Sequence, residues 1–222
     1  MANAKKRGNC YFCGKELGKT AMKNHLIKEH LNMDNTGDLT HLIRVEGKYN
    51  KNYWLFLSVL ADSDLEVVDN FLRKIWLECC YHLSAFMDND RTEIQMDTKI
   101  DQAFELSDKI YHLYDFGSTT ELIITNMGSY YAERQEDSVE LLARNIPYKF
   151  ICDECDKDAV NFSSGYYSGG DDVFLCEDCY EEYDSQDEDF FMAVTNSPRM
   201  GVCGYDGGMD IYEFDPDKVK NK

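Results

Sequence analysis

The sequence predicts an α+β protein in which a helix packs across a mostly antiparallel sheet, flanked by two small zinc-binding modules. Three observations support this fold class. Segments rich in β-branched and aromatic residues occur in neighbouring pairs joined by polar turns, and one amphipathic helical segment lies between two such pairs. Six of the nine cysteines form C-x2-C pairs, a spacing typical of zinc sites. The order strand–strand–helix–strand–strand favours an α+β layer.

The composition limits the class of protein. A chain of 222 residues with 43% hydrophobic residues is long enough for one core and small attachments. Its longest apolar run, Trp54 to Ala61, has about eight residues and is too short to cross a bilayer. The basic start, residues 1–7, is not followed by the apolar segment of a secretory signal. We therefore expect a cytoplasmic protein without membrane contact.

The charge is unevenly distributed. The chain has 23 Lys and Arg against 42 Asp and Glu, a net charge of −19. Residues 1–30 contain seven basic and two acidic residues, a net charge of +5, so the remaining 192 residues carry −24. Because such an acidic body repels phosphate, a nucleic acid could be contacted only by the first thirty residues. The candidate contact residues there are Lys5, Lys6, Arg7, Lys19 and Lys23.

Residues 1–32 predict a zinc finger with the spacing C-x2-C-x11-H-x4-H. A two-residue gap lets both thiolates reach one tetrahedral ion, and two histidines five positions apart converge where the last turn of a helix loosens. The helix is predicted over Lys19 to Glu29, with Met22 and Leu26 on its apolar side. So short a segment buries too little apolar surface to fold alone, so the metal must stabilise it. The four predicted ligands are Cys10, Cys13, His25 and His30.

The target of this finger is not defined by its sequence. With His25 at the seventh helical position, the base-reading positions are Gly18, Ala21 and Asn24. Glycine and alanine offer nothing to a base edge, so weak contact with a nucleic acid backbone or contact with a protein remain open. The polar segment from Asn32 to Gly37 predicts a flexible join to the next domain.

Residues 38–148 are predicted to form the main core. Ser63 to Glu66 has the order of a capping box, and the helix that follows has an apolar face from Val67 to Cys79. Cys79 and His82 stand at the end of this helix, where we expect them to fill the core and make an ordinary polar contact. The predicted strands are Thr40–Val45, Tyr53–Leu60, Lys109–Tyr114 and Glu121–Met127.

Within this core, Trp76 is followed by His82-Leu83-x-x-Phe86 and then, after a strand, by Tyr114-Asp115-Phe116-Gly117. These residues resemble the plasmid pRiA ORF-three-like family, over about Asp38 to Glu140. The resemblance implies a small α+β fold, occurrence in bacteria and archaea, sometimes on mobile elements, and no established activity. The family usually continues with Asp, a spacer, Trp and often His. This chain has Ser118 to Glu121 instead and so departs from that pattern.

Residues 149–184 predict a second zinc module, because two C-x2-C pairs are separated by twenty residues. Four thiolates close the coordination sphere and leave no position for a substrate, so the site is predicted to be structural. A treble-clef arrangement and a ribbon of hairpins both fit the pattern. With the finger, this gives two zinc ions per chain. The four predicted ligands are Cys152, Cys155, Cys176 and Cys179.

Residues 185–222 form an acidic and then glycine-containing tail in which Cys203 lies between glycines. Such a cysteine could be an exposed nucleophile on a turn, but we expect a small buried side chain beside closely packed glycines. The enzymatic alternative is a thiol hydrolase that uses Cys203 with His112 or His82. No motif places a histidine beside Cys203, so we predict no catalytic residue.

The preferred function is therefore a non-enzymatic zinc-binding adaptor or regulatory protein with a protein partner. The two alternatives are a protein that binds nucleic acid weakly through its basic finger and the thiol hydrolase. The sequence does not define the oligomeric state.

Overall fold

A computed structural model describes residues 7–31, 36–133, 137–165, 170–183 and 190–219. The described strands are β1 (Arg7–Cys10), β2 (Glu16–Gly18), β3 (Asp38–Gly47), β4 (Trp54–Leu60), β5 (Ser84–Met87), β6 (Glu93–Ile94), β7 (Lys109–Tyr114), β8 (Thr120–Ala132), β9 (Val139–Asn145), β10 (Asn161–Ser163), β11 (Val173–Leu175) and β12 (Phe191–Ala193). The described helices are α1 (Lys19–Glu29), α2 (Leu65–Leu72), which continues into a π-helical turn (Arg73–Leu77), α3 (Ile100–Leu106) and α4 (Glu177–Glu182). Short 3-10 turns occupy Asp210–Tyr212 and Pro216–Lys218.

The first nine strands form one sheet in the order β2-β1-β9-β4-β3-β8-β7-β5-β6, and every neighbouring pair is antiparallel. The predicted α+β class is confirmed. Every residue of β4 is buried, which means that both faces of the sheet are covered at its centre. On β4, Leu55 and Leu57 face one apolar cluster while Trp54 and Phe56 face another, as the period-two alternation of a strand requires.

The first face is covered by α2 and the π-helical turn, through residues such as Leu72 and Trp76. The predicted capping box does not form, since no side chain caps the start of α2. The backbone N–H groups of Leu65 and Glu66 instead donate to the carbonyls of Thr98 and Met96. The loop before α3 therefore satisfies the donors that a capping side chain would otherwise satisfy.

The second face is covered by the finger. Strand β1 pairs with β9, with Gly8 opposite Asn145, and Met22 and Leu26 of α1 are fully buried in the cluster that contains Trp54. The predicted join, Asn32 to Gly37, lies mostly outside the described residues, but the finger itself is docked on the sheet and is not an independent attachment. The physical reason is that Trp54 and Phe56 leave this face apolar, and the helix of the finger shields it from water.

The C-terminal module has its own three-stranded sheet, in the order β11-β10-β12. Strand β12 comes from the predicted tail, and beyond it Ser197, Arg199 and Tyr205 are at most 1% exposed. This part of the chain is therefore integrated into the fold. Within the described ranges, no helix is long and apolar enough to cross a membrane.

Candidate metal centres

The first centre lies where the finger meets the sheet. Cys10 ends β1, Cys13 lies in the turn after it, His25 is on α1 and His30 is the C-cap residue of that helix. The four ligand atoms all lie within 4.8 Å of one another. Cys13 Sγ is 3.2 Å from His25 Nε2, which is 3.1 Å from His30 Nε2. Tetrahedral zinc with ordinary bond lengths would place such pairs about 3.3–3.6 Å apart.

The second centre lies in the C-terminal module. Cys152 and Cys155 come from a turn before β10, while Cys176 is the N-cap residue of α4 and Cys179 lies in its first turn. Cys155 Sγ is 3.7 Å from both Cys176 Sγ and Cys179 Sγ, close to the spacing of about 3.8 Å that tetrahedral zinc imposes on two thiolates. A cysteine turn, a hairpin and a helix that begins at the second cysteine pair correspond to the treble-clef alternative.

The two C-x2-C turns are built alike. The backbone N–H of Cys10 donates to the carbonyl of Lys15 at 3.0 Å, and that of Cys152 donates to Lys157 at 2.9 Å. In each turn the sulfur of the first cysteine accepts hydrogen bonds from the backbone N–H groups two and three residues later. Such N–H donors favour a thiolate, so both turns direct donors at the sulfur of the first cysteine, a likeness in the way the two turns are built.

The thiol pKa values show what a metal would add. Burial raises the pKa of Cys10 to about 11 despite the N–H donors of Cys13 and Phe12. For Cys152, burial raises the pKa as well, but N–H donors led by that of Cys176 outweigh it and bring the pKa to about 6. A buried Cys10 thiolate therefore needs a cation to compensate its charge. Tetrahedral sulfur and imidazole donors are the set that zinc prefers, which means that both centres fit it.

A third cluster was missed by the sequence analysis. Cys79, Cys80, His82 and Cys203 also place their ligand atoms within 4.8 Å of one another, with Cys203 Sγ 3.3 Å from His82 Nε2. Every one of the nine cysteines thus belongs to one of three clusters. The three cysteines left over from the C-x2-C pairs were the available indication, but His82 and Cys203 are too far apart in sequence for a spacing rule.

The expectation of a buried Cys203 was wrong, because this cysteine is exposed. Of the two histidines considered as its partner, His82 is the neighbour. His112 is fully buried, and its Nε2 lies 2.6 Å from Asp69 Oδ1. Cys79 is only half-buried, and its Sγ lies 3.4 Å from Arg199 Nη2.

The predicted nucleic acid contacts are partly neutralised. Arg7 pairs with Glu16 at 3.2 Å, and Lys19 pairs with Glu46, a buried carboxylate of the main sheet. Lys23 is half-buried on α1. Lys5 and Lys6 lie outside the described residues. The finger therefore directs part of its positive charge towards acidic groups of its own chain.

No protein-family model and no curated protein matches the chain. Among solved structures, the chain is similar to a protein of unknown function, MM3350, from Methanosarcina mazei Go1. The two are 14% identical with a TM-score of 0.39, over 49% of this chain and 68% of that chain.

Proposed function

We propose that the protein is a non-enzymatic zinc protein in which two structural zinc ions hold the finger and the C-terminal module. The observation that carries this proposal is the pair of similarly built C-x2-C turns, each facing two further ligands. With four protein ligands, each ion would have a closed coordination sphere without a position for water or substrate. Both ions would then serve folding instead of catalysis.

The proposed role is that of an adaptor or regulator that binds another protein. Near the Tyr114-Asp115-Phe116-Gly117 turn, the side chains of Tyr81, Leu83 and Phe116 are 90%, 73% and 54% exposed. Leu83 and Phe116 are neighbours, since the carbonyl of Leu83 accepts a hydrogen bond from the N–H of Asp115 at 2.9 Å. Exposed aromatic and aliphatic side chains around a fixed turn are typical of protein-binding surfaces.

The same region contains the residues that resemble the plasmid pRiA ORF-three-like family. His82 Nε2 lies 3.6 Å from Asp115 Oδ2, and the Tyr114 hydroxyl donates to Glu78 at 3.0 Å. The contact between His82 and Asp115 supports the proposal that the chain belongs to this family, and the proposed association with mobile elements follows from the resemblance alone. Weak binding of nucleic acid remains the alternative, and the ion pairs of Arg7 and Lys19 make it the weaker one.

Metal analysis tests the structural zinc ions. The intact chain, purified without added metal, should contain zinc, and Cys13→Ser and Cys155→Ser should each lose one equivalent relative to the parent. The two substitutions are matched because each removes the second cysteine of a C-x2-C turn. If neither variant loses zinc, the two centres are not metal sites.

The partner surface needs a separate test. We expect Phe116→Ser to abolish capture of the specific protein that the intact chain retains from its native cells. Tyr49→Ser is the matched control, because Tyr49 is 81% exposed and lies in the turn between β3 and β4. Equal capture by both variants would show that the exposed turn does not bind the partner protein.

A further inference from the structure

We infer that Cys79, Cys80, His82 and Cys203 form a third zinc site, which fastens the C-terminal segment to the main core. This site is independent of the two in the proposed function. It has the donor set of three thiolates and one imidazole that structural zinc commonly takes. The chain brings these ligands together from two places, the segment between the π-helical turn and β5, and the turn of residues 201–204.

The backbone conformation on either side of the ligands brings their side chains towards one point. Tyr81 and Cys203 have positive φ angles of 58° and 55°, a conformation that is unfavourable for a residue with a side chain. Tyr81 has this conformation, and its own side chain is 90% exposed. The residues on either side of it, Cys80 and His82, both belong to the cluster. At Cys203 the same conformation lies within a turn flanked by Gly201 and Gly204, which also have positive φ.

The surroundings compensate the charge that such a site would have. One zinc ion with three thiolates has a net charge of −1. Arg199 is fully buried, and its Nη2 lies 3.4 Å from Cys79 Sγ and 2.7 Å from Asp115 Oδ2. The guanidinium therefore offers a hydrogen bond to one ligand, as outer groups around metal sites do. It also pairs with Asp115, whose Oδ2 lies 3.6 Å from His82 Nε2.

A catalytic interpretation fits these residues less well. In a thiol–imidazole pair that acts on a substrate, one imidazole nitrogen faces the thiol and the other is held by a third group. Here Cys203 Sγ and Asp115 Oδ2 both approach Nε2 of His82, at 3.3 Å and 3.6 Å. The two further thiols of Cys79 and Cys80 have no place in such a mechanism, whereas a metal uses all four groups.

The third zinc would strengthen a contact between the C-terminal segment and the π-helical turn that hydrogen bonds already make. The hydroxyl of Ser197 donates to the carbonyl of Trp76 at 2.7 Å, and the N–H of Met209 donates to that of Lys74 at 3.0 Å. A Cβ at Gly208 would come within 2.1 Å of the Ile75 carbonyl. The C-terminal segment thus lies against the π-helical turn, with Cys203 in the middle of its length.

The exposure of the ligands sets this site apart from the other two. Two of its three cysteines, Cys80 and Cys203, are exposed, whereas the first centre exposes one cysteine, Cys13, and the second exposes none. A chelator reaches exposed thiolates first, so the third zinc should be released before the other two. The C-terminal segment would then be held by its hydrogen bonds, its packing and the Arg199–Asp115 ion pair.

The test is the zinc content of the reduced full-length chain, measured by elemental analysis and by titration of the metal-free protein with Co²⁺. We expect three equivalents for the parent, and two for Cys203→Ser and His82→Ala. His82→Cys, which keeps four ligands, should restore the third. Tyr81→Asn is the matched control in the same turn, because asparagine accepts a positive φ, and it should keep three. Should Cys203→Ser fail to fold, Cys80→Ser replaces it at an exposed position.

Two results would overturn the inference. One is a zinc content that is the same in the parent and in Cys203→Ser. The other is a disulfide between Cys80 and Cys203 that persists in reductant. Cys13→Ser and Cys155→Ser report separately on the two sites of the proposed function. The third site can therefore be rejected without rejecting those two, and the reverse.

Discussion

The finger and the C-terminal module share one kind of C-x2-C turn but are placed differently in the molecule. The finger extends the main sheet through the pairing of β1 with β9, and Cys10, Met22 and Leu26 are completely buried. The module instead pairs its strands with one another, and its apolar cluster centres on Cys152, Leu175 and Cys176.

This difference shows that the turn that binds a metal does not by itself determine how much of the fold depends on that metal. The free energy of metal binding is also free energy of folding for whatever the metal orders. In the finger, the ordered segment includes an edge of the main sheet and the cover of Trp54. In the module, it includes three short strands and α4. From the sequence alone, the finger was expected to be the loosely joined part.

The largest expected effect follows from this comparison. Cys13→Ser should lower the free energy of unfolding of the main sheet by at least about 3 kcal/mol, whereas Cys155→Ser should lower it by less than about 1 kcal/mol. Unfolding in urea followed by tryptophan fluorescence measures this directly, because both tryptophans, Trp54 and Trp76, are buried in the main core. Equal shifts for the two variants would show that the module supports the core as strongly as the finger does.

A second change tests the docking of the finger without touching a metal ligand. A Cβ at Gly8 would lie 2.2 Å from the Arg144 carbonyl and 2.4 Å from the Trp54 ring, so Gly8→Ala should force β1 away from β9. We expect a loss of about 2–3 kcal/mol, measured by the same unfolding experiment, with zinc still bound. Gly117→Ala is the control, since its Cβ would meet only Asp115 Oδ1 at 3.3 Å. A similar loss in both variants would argue against close docking.

The sequence predicted part of the local structure correctly and the long-range assembly poorly. Periodicity located α1 and β7 at the bounds the structure has, Lys19–Glu29 and Lys109–Tyr114, because these elements depend on neighbouring residues. It missed β9, whose place between β4 and β1 depends on partners far away in the chain. It also missed the third cluster, since no spacing rule links His82 to Cys203.

The core also has a stabilising contact that involves neither metal module. Burial raises the pKa of Asp69, but hydrogen bonds from His112 and Arg73 outweigh it and bring the pKa down to about 2 from 3.8. Because the folded-state pKa is the lower one, this stability is present above about pH 4 and is lost as the pH falls towards 2. Asp69→Asn should therefore cost about 2 kcal/mol at neutral pH.

The measurement for Asp69→Asn is the difference in free energy of unfolding between the parent and the variant across a pH series. Protonation of the zinc ligands affects both chains alike, so it cancels in this difference. We expect a constant difference above about pH 4 that narrows below it. A difference that stays constant down to pH 2 would mean that the Asp69 charge contributes nothing beyond its packing.

The smallest expected effect concerns nucleic acid and compares the charges of the two parts of the chain. Arg7 and Lys19 are paired with carboxylates, and the body beyond residue 30 carries −24. Arg7→Ala and Lys19→Ala should therefore change the binding of a duplex or a single strand by less than about twofold, because a paired charge releases few counterions from a phosphate backbone. Lys23→Ala, on the same finger, is the matched comparison.

Fluorescence anisotropy of the intact chain across a salt series measures this change in binding. Tight, sequence-dependent binding near physiological salt, lost in Lys19→Ala, would instead make the finger a nucleic acid reader and overturn the adaptor proposal.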